Sequence, residues 1–288
     1  MPYTPLQLAN AFLQTGELDD ALDALNQHLA ASPDDAEALR LRAQIKGRHD
    51  MESRRAALAD LERLPDLSVE DVFLRLAILT SLDETEAAQA TILEALAQFP
   101  QDERLAERGV DFLREIGKLT EARALVAQQP PSWRWHQWAG MLAAEDGDFA
   151  AAVEAYSGAI AELEHRYRFD LSAPARILDT GSDAAALTVV AAYGSLRLAR
   201  GHALLRLNRL GEAEADYAAA AAILPNDETI RFYQGIIAAL QGNLDEAERF
   251  CRVTLQGVNE ALCAVLRDEL SEASEREPAL KALLQRLF

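Results

Sequence analysis

Cysteine is scarce in this chain: 288 residues hold only Cys251 and Cys263, and no CxxC pair. Two thiols so placed make neither a disulfide framework nor a cysteine-based metal site, and both are expected as free, buried side chains. Long apolar runs are missing too. No stretch approaches the ~20 consecutive apolar residues of a membrane helix. The opening MPYTPLQLANAFLQTGEL lacks the basic start and apolar block of a secretory signal. No membrane insertion and a cytoplasmic location are therefore expected. Positive charge is short: 28 basic residues face 47 acidic ones, for a net charge of −19. Nucleic acid and anionic membranes demand a basic surface, so neither is expected as a partner. A basic segment of another protein is compatible.

Catalytic patterns are equally absent. His28, His49, His136, His165 and His202 show no pairing at metal-ligand spacing, and HExxH, GxGxxG, the P-loop pattern and GxSxG do not occur. Carboxylates are so abundant that choosing two as general acid and base would be arbitrary. The chain is read as a non-enzyme without cofactor or metal.

What is present is alanine, which leads an apolar share of 50%, while aromatics make up 6%. Alanine is the best helix former and lets helices approach closely. Fourteen glycines and ten prolines fall at intervals, as punctuation rather than in runs. A search for internal repeats exposes the order behind them. Gly201, Asn208, Ala213, Tyr217, Ala220 and Pro225 stand at steps of seven, five, four, three and five. Gly235, Gly242, Ala247 and Cys251 repeat the frame 34 residues later, and Gly140, Gly147, Ala152, Tyr156 and Ala159 precede it. Ala9, Gly16, Ala21, Leu25 and Pro33 fit the same ruler. So do Leu76, Asp83, Ala88, Ile92, Ala95 and Pro100, and then Val110, Gly117 and Ala122.

Each position has a physical task. The small residue lies mid-helix where a second helix crosses. The Gly, Asn or Asp seven residues on ends one helix in left-handed geometry and starts the next. The following Ala is again a crossing point, the Tyr, Leu or Ile after it fills the gap between helices, and Pro stops the second helix.

This frame resembles the tetratricopeptide repeat, a helix–turn–helix of 34 residues. The resemblance implies an all-α, right-handed superhelical solenoid over residues 2–258, in about seven repeats, with 259–288 as C-terminal capping helices. The family's tryptophan near the start of the first helix has only out-of-frame counterparts, Trp135 and Trp138. Residues 36–68 form a degenerate repeat, with Arg55 at the small-residue site and Pro65 early. An insertion with elongated helices falls at about 161–196. There Pro174, Gly181 and Ser182–Asp183 mark a loop, and a single long helix spans 184–208. The two long helices are expected to protrude as an antiparallel pair.

The resemblance further implies that the first helix of each repeat lines a concave groove. Helical periodicity then selects the inward residues: Met141, then Leu198, His202 and Leu205, then Phe232, Ile236 and Leu240. An apolar inner wall suits a partner peptide or helix, unless the chain's own terminal helices fill it. Glu107, Asp111 and Glu115 form an acidic stripe with Arg104, Arg108 and Arg114 within helical reach. It reads either as a self-paired solvated face or as a docking site for basic side chains. An amphipathic basic segment would satisfy both surfaces. Trp133, Trp135 and Trp138 hold every indole of the chain; 133 and 135 lie about 200° apart on a helix, so they cannot share a face. One or two of them are expected to fill a joint between repeats. Some relatives clamp a C-terminal carboxylate with lysines and asparagines. The inner positions here carry no lysine, which disfavours that subtype. The expected function is an interaction scaffold or adaptor. The alternative is a regulator whose superhelix changes shape on binding a peptide or small molecule.

Overall fold

A computed structural model describes residues 3–167 and 184–288, and all regular structure among them is α-helical. The helices come in consecutive pairs. These are α1 (Pro5–Thr15) with α2 (Leu18–Ala31), α3 (Ala36–Lys46) with α4 (Met51–Glu62), and α5 (Val69–Ser81) with α6 (Thr85–Gln98). Next come α7 (Glu103–Glu115) with α8 (Leu119–Ala127), α9 (Trp133–Glu145) with α10 (Phe149–Tyr167), and α11 (Ala184–Arg206) with α12 (Leu210–Ile223). The last are α13 (Glu228–Leu240) with α14 (Leu244–Gly257), and α15 (Glu260–Ser274) with α16 (Pro278–Leu287). Packing divides the chain into two compact units, Met1–Leu125 and Val126–Phe288.

The turns follow from the sequence. Gly16, Asp83, Gly117, Gly147, Asn208 and Gly242 are the positive-φ residues among those described, and all six occupy the turn position of the frame. A residue in the left-handed region reverses the chain within two residues, which suits Gly and is tolerated by Asn and Asp. Many helix starts carry side-chain caps: Thr4 with Gln7 and Ser68 with Asp71 form reciprocal capping boxes, and Asp35, Asp50, Asp102, Asp227 and Asn259 accept from first-turn amides.

The crossing points are as tight as the frame requires. A Cβ built on Gly140 would sit 2.6 Å from the Tyr156 ring, and one on Gly235 would sit 2.6 Å from Cys251 Sγ. Ala21, Ala88, Ala122, Ala152, Ala213 and Ala247 are fully buried at the matching sites of the second helices. The repeat at 36–68 departs in an instructive way. Four residues, Gly47 to Asp50, separate its helices where two suffice between α1 and α2. Gly47 stays right-handed, and the two extra residues move the crossing point from Arg55, which is exposed, to buried Ala57.

The core of the first unit runs from Ala9 to Ile78 and on from Val72 to Phe112. In the second unit, α10 (19 residues) and α11 (23 residues) are the longest helices described and pack along each other. Pro174, Gly181 and the Ser182–Asp183 pair lie outside the described residues. At the end of this unit, Leu266 and Leu270 of α15 and Leu280 and Leu283 of α16 join one buried cluster with Phe232, Ile236, Ala247 and Cys251.

Candidate partner-binding cavity

The second unit contains a cavity of about 570 Å³ between the inner helices and the α15–α16 hairpin. Ala199, His202, Ala203 and Leu205 of α11 and Tyr233, Ile236 and Leu240 of α13 form one wall, with Phe149 and Tyr156 of α10 beside it. Glu269, Glu272 and Ala273 of α15, then Arg276, Glu277 and Leu280, form the other. Arg206 and Asn208 stand at the lip on the α11 side. The walls are thus mostly apolar and the lips charged.

His202 and Tyr233 of this lining form an aromatic cluster with the fully buried Tyr217. The His202 ring lies 4.2 Å from that of Tyr233 and 5.5 Å from that of Tyr217, measured between centroids, and the two tyrosines stack nearly parallel. Burial pushes His202 down to about 4, against a weaker opposing pull from Asp227. The imidazole is therefore neutral at pH 7 and behaves as part of the apolar wall. Burial and the bond from Tyr233 Oη to Glu269 Oε2 (2.6 Å) push the Tyr233 phenol well above its ordinary value. That bond ties α13 to α15 across the cavity. Arg206 lies over the Phe149 ring at 4.7 Å and makes no ion pair among the described residues.

Of the seven inward residues selected by periodicity, His202, Leu205, Ile236 and Leu240 line this cavity. Met141 and Leu198 are half-buried and do not; Leu198 packs against the neighbouring core instead. Phe232 is a correction. It is 0% exposed and Ile236 only 4%, because Leu266, Leu270, Leu280 and Leu283 cover them. Both are core residues first, and a charge at either would be buried. Here the terminal hairpin covers Phe232 and most of Ile236 and leaves a cavity beside Tyr233, Leu240 and α11. Tyr233 is the inward residue that the reading missed. It was legible one position along, since Tyr233, Ile236 and Leu240 recur at helical spacing. The hairpin's share was hidden because its helices carried no repeat signature.

The acidic stripe is largely spent within its own helix. Asp111 accepts from Arg108 (3.1 Å) and Arg114 (2.9 Å), and Arg108 also faces Glu115 at 3.5 Å. Glu107 is half-buried on the same helix. The spacing of three and four residues that made the stripe visible also pairs it. Among the tryptophans, Trp135 is buried, and Trp133 and Trp138 are half-buried.

A further set of interactions escaped sequence reading. In α11, Arg200 grips both oxygens of Asp216 through Nε (2.6 Å) and Nη2 (2.7 Å), and Arg197 Nη1 adds a third bond at 2.8 Å. In α3, Arg42 grips Asp60 in the same side-on manner at 2.8 and 2.6 Å. Both arginines precede the small crossing residue, Gly201 or Ala43. Both aspartates follow the crossing alanine by three, Ala213 or Ala57. Such buried, bidentate pairs fix helix register rather than form a reaction site. Among the described residues, no group of three or more His, Cys, Asp or Glu side chains is placed to hold a metal ion, and no helix is long and apolar enough to cross a membrane.

Comparisons agree with this architecture. Two tetratricopeptide-repeat family profiles match, one at residues 6–45 and one at 198–261. No curated protein sequence gives a significant match. A tetratricopeptide repeat protein from Parabacteroides merdae ATCC 43184 is similar in structure, with a TM-score of 0.52 at 14% identity over 91% of this chain and 95% of that one. MamA gives a TM-score of 0.49 at 14% identity, over 66% of this chain and 95% of its own. YrrB, described as a tetratricopeptide protein with an unusual peptide-binding site, gives 0.48 at 13% identity, over 76% and 100%. At these identities the likeness concerns the fold. The two matched segments carry tetratricopeptide repeats, and with its helix pairs on a recurrent frame the chain is similar in fold to tetratricopeptide-repeat proteins.

Proposed function

We propose that this protein is a non-enzymatic adaptor of the cytoplasm whose second unit holds an amphipathic segment of another protein. Tetratricopeptide repeats serve generally as protein-interaction scaffolds. The observation that carries the reading is the cavity itself. About 570 Å³ of mostly apolar space stays open to the surface where the α11 wall meets the terminal hairpin, within the size range of ligand pockets. Its apolar walls accept one or two large side chains of a partner, in the manner of a helix laid into a groove. The carboxylates of Glu269, Glu272 and Glu277 along one lip favour basic residues beside that apolar stripe. Two unpaired cysteines, Cys251 and Cys263, suit a reducing compartment.

Ala273 is half-buried on the α15 wall, so a larger side chain there occupies the cavity rather than the core. Affinity capture with wild type beside Ala273→Trp tests the reading. The variant is expected to lose at least about tenfold of partner capture, the equivalent of one anchor side chain, with its helical circular dichroism unchanged. Equal capture by both would place the interface elsewhere.

A further inference from the structure

The proposed cavity has lips of opposite sign. On the hairpin side stand Glu269, Glu272 and Glu277, with Arg276 as the one cation, itself 3.3 Å from Glu272. Glu269 is tied by the Tyr233 hydroxyl. On the α11 side stand Arg206 and Asn208, with no carboxylate among the cavity-lining residues of that helix. Arg206 is exposed at the last turn of α11, held over Phe149, and free of ion pairs with described residues. A uniformly basic segment would satisfy the hairpin lip and be repelled at Arg206, and an acidic one the reverse.

Resting on the cavity as the binding site, we infer that its partner segment is a charge-split amphipathic helix. An apolar stripe enters between the lips, Lys or Arg on one flank faces Glu269 and Glu277, and Asp or Glu on the other flank faces Arg206. Arg206 is then a specificity-determining residue that rejects segments basic on both flanks. Its contribution to affinity is small, as for any exposed charge; its contribution to choice is larger, because the wrong flank meets repulsion instead of a partner.

The test uses the full chain and two synthetic helical peptides with the same Leu/Phe stripe. One carries Lys on one flank and Glu on the other; the second carries Lys on both. Fluorescence anisotropy at low ionic strength is expected to show the split peptide binding roughly fivefold tighter than the all-basic one. Arg206→Gln should erase that preference and Arg206→Glu invert it, while 0.5 M salt, about a 4 Å screening length, should also erase it in wild type. Equal or tighter binding of the all-basic peptide by wild type overturns the inference and leaves the cavity reading standing. So does a preference that survives in both Arg206 variants. Failure of both peptides to bind wild type overturns the cavity reading along with it.

Discussion

Glycine is needed for space at one place in this chain, for its backbone at a second and for neither at a third, and the sequence letter alone does not separate them. Gly140 is needed for space, with the Tyr156 ring 2.6 Å from where a Cβ would stand. Gly147 is needed for its backbone, at φ +79° with open space around it. Gly211, exposed in the first turn of α12, is needed for neither. The prediction at this scale is a split in sign. Gly140→Ala should overpack the crossing and cost about 1–3 kcal/mol. Gly211→Ala should add about 0.5 kcal/mol by trimming unfolded-chain entropy and improving helix propensity. Urea unfolding midpoints at constant slope read both, and a neutral Gly140→Ala would mean that the crossing is looser than its geometry. The repeat frame pointed to Gly140 and Gly147 and gave each the right task, because a small residue at fixed stride is a direct imprint of a helix crossing. It could not weigh Phe232 against Tyr233. Both lie near the inner face of α13, and only the covering hairpin decides that Phe232 is core and Tyr233 lines the cavity.

Between elements, register is held by the buried pairs that recur one residue before the first crossing site and three after the second. Asp216 is 1% exposed and takes bonds from both Arg197 and Arg200, with Ser157 of α10 completing Arg200. Three helices are therefore linked through Arg200, with the Asp216 carboxylate joining two of them. Removing it leaves two mostly buried guanidinium groups without that partner, so Asp216→Leu is expected to cost about 3 kcal/mol or more. The exposed Arg209–Glu212 pair in the same hairpin is a control: Arg209→Ala should lower stability far less than Asp216→Leu. Thermal melts of the two variants side by side measure the difference, and similar small losses would remove the locking role from Asp216. This pairing was present in the sequence as Arg-Gly and Ala-x-x-Asp within the frame. It went unread because 26% of the residues are charged, so chance pairs are common and only shared register identifies a real one. The two-residue lengthening of the turn after α3 further shifted Asp60 out of the strict ruler.

At the scale of the molecule, the repeat architecture was legible and the lining of the cavity only half so. Spacing fixes hairpins and the faces that cross, and it named four residues that do line the cavity. It could not reveal the role of α15 and α16, whose Leu266, Leu270, Leu280 and Leu283 cover Phe232 and most of Ile236 while leaving a cavity beside Tyr233, Leu240 and α11. A terminal hairpin looks the same in sequence whether it merely covers an apolar end or shapes a binding site. An adaptor of this kind requires that a partner enters that opening. The direct measurement places a photo-crosslinking amino acid at Leu205 or Leu240, which line the cavity, and at Val253, an exposed apolar residue of α14 outside it. Leu205 and Leu240 positions are expected to crosslink the same short apolar segment of one partner, and Val253 is expected not to. Crosslinking from Val253 with none from either cavity position would contradict that expectation.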